Sequence, residues 1–474
     1  MNTPHAPTNA PPQDPRWWLL VTLAVTTVVA CVVAAIVVSH RPVDGVAVPR
    51  PAWRPPPQIL LSSPMSSQPV PGWRTSLGTL GLGNAAPGRP GAVRFASDPD
   101  SQFSQPFVGN IGDSAYFTIA TTSGDRRWWL AGINATTGQP LFPLIELDAP
   151  TEPQCFINGP DRVLCVRSGD RAGAWVIDAH TGRVLYQGPT DLSNNIGHLG
   201  VEQLGEYAVA GVMNQGIYGI GDTANTTWFV PGDGNVTEGI GPTDIPPPPF
   251  ATQKTGNSDR TVVFSLVDGK VVQPQLDPNV RPFRAVVYPG GFAVEVTSDK
   301  VASTSDAVLF FDTDGKLLGK DEASGSLKTS SQVLPITSSR SKAVVYSPHG
   351  YPLADITGFN EGLNVLLGTR LFVNLSHSNA KDEWHPYDLE TGAKGPVCQA
   401  DMYYFVGSDG KTAVFTSNTP VLGETTHGVD IGTCTDRWSF TTKPGAYRKV
   451  WRINTTLVQL SDDGTELMSL VAPN

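Results

Sequence analysis

A short reverse turn that recurs along the chain constrains this sequence more than any other feature. Its clearest copy lies in residues 174–186, where an apolar segment leads into Asp178 and Gly182 precedes a second apolar segment. An aspartate side chain accepts hydrogen bonds from backbone N–H groups two or three residues later, and glycine adopts a positive φ without steric cost. Each copy of the turn therefore predicts a hairpin between two β-strands.

The spacing of the turns predicts how the hairpins are assembled. From Asn134 to Asp312 successive copies stand about 43 to 47 residues apart, a period typical of β-propellers. Asx-Gly turns are common in any all-β protein, but chance turns are not expected to hold one spacing over four consecutive steps. We predict seven or eight blades, because Ser347 and Ser461 are uncertain members of the series. The turn positions are Asn134, Asp178, Gly221, Asp268, Asp312, Ser347, Asp388, Asp430 and Ser461.

The composition agrees with an all-β protein. Among 474 residues there are 48 glycines and 42 prolines, charged residues make up only 16%, and no long stretch has good helical periodicity. We predict that residues 72–474 form a seven- or eight-bladed β-propeller, closed where strands near 73–82 meet those near 450–471 in a shared or adjoining blade. The net charge of −10 argues against a nucleic-acid partner, which needs a basic face.

The turn and its flanks follow the consensus Ala-x-x-Asp-x-x-Thr-Gly-x-x-Leu-aromatic, which residues 174–186 match best and residues 130–142 next. This consensus resembles the repeat of the PQQ-like (quinoprotein-type) β-propeller superfamily, although Tyr186 and Phe142 stand where that family usually has tryptophan. The resemblance implies a propeller fold over about residues 72–474. It is compatible with two roles, because the superfamily includes quinone-dependent enzymes and non-catalytic members.

The N-terminal region predicts a membrane anchor. Residues 1–16 are proline-rich and predict a disordered tail. Residues 17–38 carry no charge and would span ~33 Å as a helix, enough for a bilayer core, with Trp17 and Trp18 at the interface. We predict one transmembrane helix over 17–38 rather than a cleaved signal peptide, whose apolar region is normally shorter. A lipidated Cys31 is a further alternative, although the residues after it stay apolar where a polar tether is usual.

Two proline-rich segments interrupt the predicted elements. Residues 39–71 include Pro55, Pro56 and Pro57 and predict a stiff polyproline II linker that holds the folded domain away from the membrane. Residues 231–257 contain four consecutive prolines and break the blade pattern. We predict that this second segment is a long loop on one rim of the propeller, where loops commonly carry binding sites.

Four cysteines lie outside the predicted span. Cys155 and Cys165 flank a predicted hairpin at equal distance from Pro160, so the two thiols could face each other across two strands. Cys398 and Cys434 then remain as a second pair by elimination. An even number of cysteines suits disulfides in an oxidising compartment, although four residues allow three pairings and four buried thiols are the alternative.

The charges beside the predicted span and the cysteines favour opposite orientations. Arg16 precedes the span whereas Arg41, Arg50 and Arg54 follow it, which by the positive-inside rule places the C-terminal domain in the cytoplasm. Disulfides favour the opposite, and large domains are translocated regardless of nearby charge. We predict a single-pass protein of the cell membrane with a cytoplasmic N-terminus and an extracytoplasmic C-terminal domain, and the anchor together with the PQQ-like resemblance favours a bacterial envelope.

A search for catalytic and metal-binding motifs assigns no catalytic residue, no metal ligand and no cofactor. The sequence contains neither a Gly-x-Ser-x-Gly elbow nor a His-Glu-x-x-His motif, and it lacks the adjacent cysteines found in many quinoprotein dehydrogenases. The densest clusters of aromatic residues beside polar ones hold the candidate partner-binding residues Trp128, Trp129, Trp384 and Tyr387. Aromatic anchors are common in protein interfaces, and blade packing is the alternative explanation for all four.

These observations favour a membrane-anchored, extracytoplasmic propeller that is a non-catalytic binding or scaffold module. Its predicted partners are the membrane, through residues 17–38, and an unidentified envelope protein, peptide or polymer. The alternative is an envelope enzyme with a site in the central funnel, such as a quinone- or metal-dependent oxidoreductase.

Overall fold

The computed structural model describes most of the chain from Trp53 onward. The described residues are 53–83, 92–96, 105–122, 124–149, 151–169, 172–193, 199–236, 243–255, 260–298, 306–322, 325–328, 333–339, 342–359, 363–375, 383–419, 423–442 and 449–473. They belong to one compact unit, residues 53–474. None of them forms a helix that is long and apolar enough to cross a membrane. The predicted tail (1–16) and transmembrane helix (17–38) lie outside the described residues.

The described residues form nine antiparallel sheets, which we number as blades 1 to 9 in chain order. Blade 1 contains β2 (Val93–Phe95), β3 (Phe107–Ile111), β4 (Ser114–Thr121), β5 (Trp128–Asn134) and β6 (Ile145–Leu147). Blade 2 contains β7 (Gln154–Ile157), β8 (Arg162–Arg167), β9 (Gly173–Asp178) and β10 (Val184–Gly188), and blade 3 contains β11 (Gly200–Leu204), β12 (Tyr207–Val212), β13 (Gly216–Ile220) and β14 (Thr226–Pro231).

The middle of the chain forms three blades that differ in size. Blade 4 contains two strands, β15 (Phe250–Lys254) and β16 (Thr261–Ser265). Blade 5 contains β17 (Arg281–Tyr288), β18 (Gly291–Thr297), β19 (Ala307–Phe311) and β20 (Leu317–Asp321), and blade 6 contains β21 (Ser326–Leu327), β22 (Ile336–Ser339), β23 (Lys342–Tyr346) and β24 (Pro352–Thr357).

The last three blades complete the ring. Blade 7 contains β25 (Asn364–Leu367), β26 (Arg370–Asn374) and β27 (Trp384–Asp388), and blade 8 contains β28 (Phe405–Ser408), β29 (Thr412–Thr419), β30 (Gly423–Asp430) and β31 (Thr435–Thr441). Blade 9 contains β32 (Val450–Ile453), β33 (Thr456–Leu460) and β34 (Glu466–Val471) together with the N-terminal strand β1 (Val70–Ser76). β1 pairs with β34, so the first and last strands share one blade and the predicted ring closure is confirmed.

The nine recurring turns correspond to the nine sheets. Each turn position ends or follows one strand of its own blade, including Ser347 after β23 and Ser461 after β33. The prediction of an all-β propeller is confirmed. The predicted number of blades was seven or eight; eight of the nine sheets have three or more strands, and blade 4 has two. Ser347 and Ser461, the uncertain members of the turn series, each belong to a four-stranded sheet.

The turn chemistry is as expected from the residue types. In blade 2 the Asp178 carboxylate accepts hydrogen bonds from the backbone N–H groups of His180 (3.1 Å) and Thr181 (2.9 Å), and Gly182 has a φ of 70°. A side chain at Gly182 would also collide with the Phe142 ring of blade 1, because an added Cβ would lie 2.4 Å from a ring carbon. Glycine is therefore required both by the backbone conformation and by blade packing.

The core lies between adjacent blades rather than within any one of them. Tyr116 and Leu130 of blade 1 pack with Val163 and Trp175 of blade 2 in one buried cluster. Burial of each large apolar side chain stabilises the fold by ~1.5–3 kcal/mol, so the ring is held together by these inter-blade contacts. Neighbouring blades also touch through their innermost strands, for example β3 with β7 and β28 with β32. In blade 1 the innermost strand is β3, which pairs with β4, and we count it as the first strand of that blade. The first strands therefore lie around the centre of the ring.

Candidate functional site

The described part of the predicted linker packs on the propeller. Residues 53–65, which we call the strap, hydrogen-bond with the turns that join the first and second strands of blades 7, 8 and 9. The contacts are Gln58 with Gly368 (3.1 and 3.2 Å), Leu61 N with Ser408 O (2.7 Å) and Ser62 N with Thr455 O (2.8 Å). The strap therefore lies on the face of the ring that carries these turns, which we call the strap face.

Blade 4 is the exception among the sheets, because its first-strand position is not occupied by a paired strand. In blade 1, Asp113 lies just before β4, the strand that follows the innermost strand β3, and its carbonyl accepts a hydrogen bond from Ala135 N (2.8 Å). In blade 4, Pro249 just before β15 accepts the equivalent bond from Leu266 N (2.9 Å). β15 is thus the second strand of its blade, and residues 243–249, which we call the plug, stand in sequence where the first strand would be.

The plug lies at the centre of the ring. Asp244 is fully buried, its carbonyl accepts a hydrogen bond from Ile59 N of the strap (2.7 Å), and Ile245 packs in the cluster of blades 6 and 7. Prolines lack a backbone donor, so the run Pro246 to Pro249 cannot form a regular inner strand. The prediction of a rim loop over 231–257 is thereby corrected for these residues, which lie inside the ring.

A buried ion pair joins the plug, the strap and two blades. The Asp244 carboxylate accepts hydrogen bonds from Ser408 Oγ (2.6 Å) and pairs with Arg452 Nη1 (3.3 Å). Arg452 also donates to the carbonyls of Ile59 (2.8 Å) and Thr243. Burial raises the pKa of the Asp244 carboxyl, opposed by Ser408 and Arg452, and burial lowers the pKa of the Arg452 guanidinium, opposed by Asp244.

Next to this ion pair lies a cavity of about 630 Å³. Its walls come from the first strands of blades 1, 3, 8 and 9 and from the strap and plug. The volume lies in the range of ~300–1,000 Å³ that is usual for ligand sites. The cavity thus has the size and the central position of a binding site, and two segments outside the regular blades form part of its wall.

The wall of the central cavity is aromatic in one part and polar in another. Phe107 and Trp451 have ring centroids 5.7 Å apart, and both pack on the buried Phe117 ring. The polar part includes Asn110 and Gln203, whose amides donate to the carbonyls of Gly112 (2.9 Å) and Gly205 (3.0 Å). An apolar group of a ligand would be received by the aromatic part.

The four aromatic residues predicted to contact a partner are buried instead. Trp128, Trp129, Trp384 and Tyr387 all belong to the core, and they pack in clusters between blades. Their positions on β5 and β27 explain this, because central strands of a blade are covered on both faces by neighbouring blades. The prediction of a partner surface at these residues is corrected to a packing role.

Both predicted disulfides are confirmed. Cys155 and Cys165 face each other across β7 and β8 of blade 2, and Cys398 is joined to Cys434. The second bond connects the segment that leaves blade 7 after β27 to the turn between β30 and β31 of blade 8. Paired cysteines of this kind are typical of oxidising compartments.

Sequence reasoning missed the residues of the central cavity. Phe107 belongs to blade 1, Tyr404 precedes the first strand of blade 8, and Trp451 and Arg452 belong to blade 9, and no local motif relates these positions. The run of four prolines was the one available signal, because it marked the blade in which the inner strand is displaced. Within the described residues, no group of three or more His, Cys, Asp or Glu side chains is placed to hold a metal ion.

Comparison with known proteins identifies the family to which this chain belongs. The model of a family described as a conjugation-associated 9-bladed β-propeller domain matches residues 46–473. An uncharacterised protein of Mycolicibacterium smegmatis (strain MKD8) is 39% identical over 481 residues, covering 98% of each chain.

Among solved structures, BamB from Moraxella catarrhalis is 14% identical, with 85% of this chain and 100% of that chain covered and a TM-score of 0.28. Dihydro-heme d1 dehydrogenase NirN is 11% identical, with 80% and 78% covered and a TM-score of 0.38. TM-scores this low carry no argument about function, whereas the family match spans most of the sequence. The chain belongs to the family of conjugation-associated nine-bladed β-propeller domains.

Proposed function

We propose that this chain is a membrane-anchored, extracytoplasmic propeller that acts as a non-catalytic scaffold by binding a partner protein at its central cavity. The observation that carries the proposal is the cavity of about 630 Å³, enclosed by four blades and by the chain's own strap and plug. A cavity at the centre of a closed ring presents a fixed, preformed site, which suits a module that positions another protein.

Three further observations support the cellular setting of the proposal. The uncharged residues 17–38 favour a single membrane-spanning helix, and the two disulfides favour an extracytoplasmic domain. The family description links such domains to conjugation, so the proposed partner is a protein of a conjugation-associated assembly. The resemblance of the turn repeat to the PQQ-like superfamily, which has non-catalytic members, is compatible with this role.

The anchoring and orientation can be tested with the cysteines that are already present. Intact cells that express the full chain would be treated with a membrane-impermeant maleimide before and after addition of a reductant. Protection of the four propeller cysteines until reduction, in a protein that stays with the membrane after a high-salt wash, would support the proposal. Reaction of all four cysteines without reductant, only after the cells are lysed, would contradict an oxidising, extracytoplasmic location.

Partner binding can be tested by crosslinking in membranes. Photo-reactive side chains would be introduced one at a time at exposed positions around both faces of the ring, and the crosslinked species would be analysed by mass spectrometry. Recurrent crosslinks to one extracytoplasmic protein would support a scaffold. Crosslinks to bulk lipid alone from every position would contradict it.

A further inference from the structure

The two ends of the central cavity are closed to different degrees. β28 begins after Tyr404 and ends at Ser408, where the strap is bound, so Tyr404 and the strap lie at opposite ends of one strand. β32 has the same direction, because it begins at Val450 and ends in the turn whose Thr455 binds the strap. The strap and plug therefore bound the cavity on the strap face, and Tyr404 marks its end on the opposite face.

Two apolar side chains are exposed on the opposite face, and one of them, Tyr404, lines the cavity. Tyr404 is 68% exposed and Leu363, which precedes β25 at the same end of blade 7, is 54% exposed. Asn374 links Leu363 to Tyr403, the neighbour of Tyr404, since its backbone N–H donates to Leu363 O (3.0 Å) and its side chain donates to Tyr403 Oη (3.1 Å). Exposed apolar groups that continue into a cavity are typical of interaction sites.

The charges in the central cavity do not favour an anionic ligand. Arg452 and Glu206 are the charged side chains among the described lining residues. The Arg452 guanidinium is already paired with Asp244 and donates to Ile59 O and Thr243 O. An anionic ligand would have to compete with these partners, and an anion placed in the aromatic part would be buried without compensation.

The polar side chains of the cavity are held by hydrogen bonds within the propeller. Asn110 and Gln203 donate to backbone carbonyls of their own turns, and Asn454 donates to Asp113 Oδ1 (2.7 Å). These bonds fix the orientation of the three amides in the cavity wall. The centre of the ring does accommodate extended polypeptide, because the strap and plug meet there through the hydrogen bond from Ile59 N to Asp244 O.

We infer that an apolar segment of a partner protein enters the central cavity from the face opposite the strap. Its leading side chain contacts Tyr404 at the rim and then the aromatic wall formed by Phe107 and Trp451. This inference rests on the proposed function and specifies the surface and the chemistry of the partner segment. The strap and plug form the inner wall that the segment meets.

The test compares the two faces of the ring in the full-length protein in its native membrane. A benzophenone side chain replaces Tyr404 on the opposite face or Tyr351, which is 50% exposed in the turn after β23 on the strap face. We expect crosslinks to one protein from position 404 and none to that protein from position 351. Equal crosslinking from both positions, or crosslinking from 351 alone, would overturn the inference, whereas the recovered protein would still support a scaffold role.

Charge substitution tests the chemistry of the same site. With the probe at position 404, Val406→Asp introduces a carboxylate into the half-buried cavity wall and should lower the crosslink yield by ~10-fold or more, because an uncompensated buried charge is costly. Val406→Leu keeps the wall apolar and should preserve the yield. An unchanged yield with Val406→Asp in a folded protein would contradict an apolar ligand.

A second variant guards against misfolding of Val406→Asp. Tyr404 has a φ of 46°, a conformation that aspartate tolerates better than tyrosine, so Tyr404→Asp should fold normally. Co-purification of the crosslinked protein should be lost with Tyr404→Asp and kept with Tyr404→Phe and Tyr351→Asp. Retention with Tyr404→Asp would overturn the inference. Absence of any protein crosslink from either position, with lipid or glycan as the only product, would contradict both the inference and the proposed function.

Discussion

Blades 2 and 4 share the recurring turn but differ in their first strands. In blade 2 the first strand, β7, pairs with β8 and is also joined to it by the Cys155–Cys165 disulfide. In blade 4 the corresponding residues 243–249 leave the sheet and cross to the centre, where Asp244 is held by side chains of blades 8 and 9. The turn therefore specifies the outer part of a blade, while the inner strand is free to diverge and form the central cavity.

The largest expected effect comes from the residue that holds the displaced strand. Arg452→Ala removes the partner of a fully buried Asp244 and the donor to Ile59 and Thr243, and loss of one member of a buried ion pair costs ~3–5 kcal/mol. The measurement is the free energy of unfolding of the full chain in urea. Arg127→Ala, which breaks a pair with Glu146 in which both side chains are about half exposed, is the control and should cost under ~1 kcal/mol. Equal small losses would show that the plug is not held by Arg452.

Removal of the blade 2 disulfide should have a somewhat smaller effect. Cys155→Ser with Cys165→Ser opens a loop with a sequence separation of 10, for which loop entropy predicts a loss of ~3 kcal/mol. The double variant of Cys398 and Cys434 opens a separation of 36 and should cost ~4 kcal/mol, so it calibrates the loop-length effect. Amide exchange should show that β7 stays paired with β8 in the first variant. Loss of that pairing would mean that blade 2, like blade 4, has an inner strand that its own sheet does not hold.

The recurring turns and the run of prolines show which parts of the fold could be predicted from the sequence and which could not. Periodic turns such as Asp178 to Gly182 are local, and they predicted the propeller and its ring closure because every blade repeats the same short-range chemistry. Cys155 and Cys165 were predictable for the same reason. The ion pair of Asp244 and Arg452 joins residues that are distant in the chain and that share no repeat, so their meeting is determined by the closed ring alone. The prolines predicted a break in the pattern but not its direction.

A third effect of intermediate size tests the turn itself. Asp178→Ala removes the acceptor for His180 N, Thr181 N and Thr181 Oγ1, and should cost ~1 kcal/mol in unfolding free energy. The hydroxyl and N–H of Thr181 lower the pKa of Asp178, so this stabilisation is present above the unfolded-state pKa of about 3.9 and is lost as the pH falls below it. Unfolding measured between pH 3 and pH 7 should show this dependence.

The matched variants distinguish charge from hydrogen bonding at this turn. Asp178→Asn keeps an acceptor oxygen and should retain most of the stability while losing its contribution to the pH dependence. Asp268→Ala in blade 4 removes a carboxylate that accepts from Lys270 N at 3.2 Å and should have a smaller effect than Asp178→Ala. A larger loss at Asp268 would mean that the incomplete blade depends on its turn more than the complete one does.

The smallest expected effect concerns the prolines of the plug. Pro247 is exposed and lies against Gly205, and its replacement by alanine mainly increases the entropy of the unfolded chain, at a cost of ~0.5 kcal/mol. Pro189→Ala, at an exposed position after β10 in blade 2, is the matched control and should cost a similar amount. Amide exchange should show no new strand in the Pro247 variant, because Asp244 and Arg452 still hold the plug at the centre. If alanine at position 247 instead produced newly protected amides on the free edge of β15, the prolines would be the reason why blade 4 lacks an inner strand. The ion pair of Asp244 and Arg452 would then only stabilise a position that the backbone already imposes.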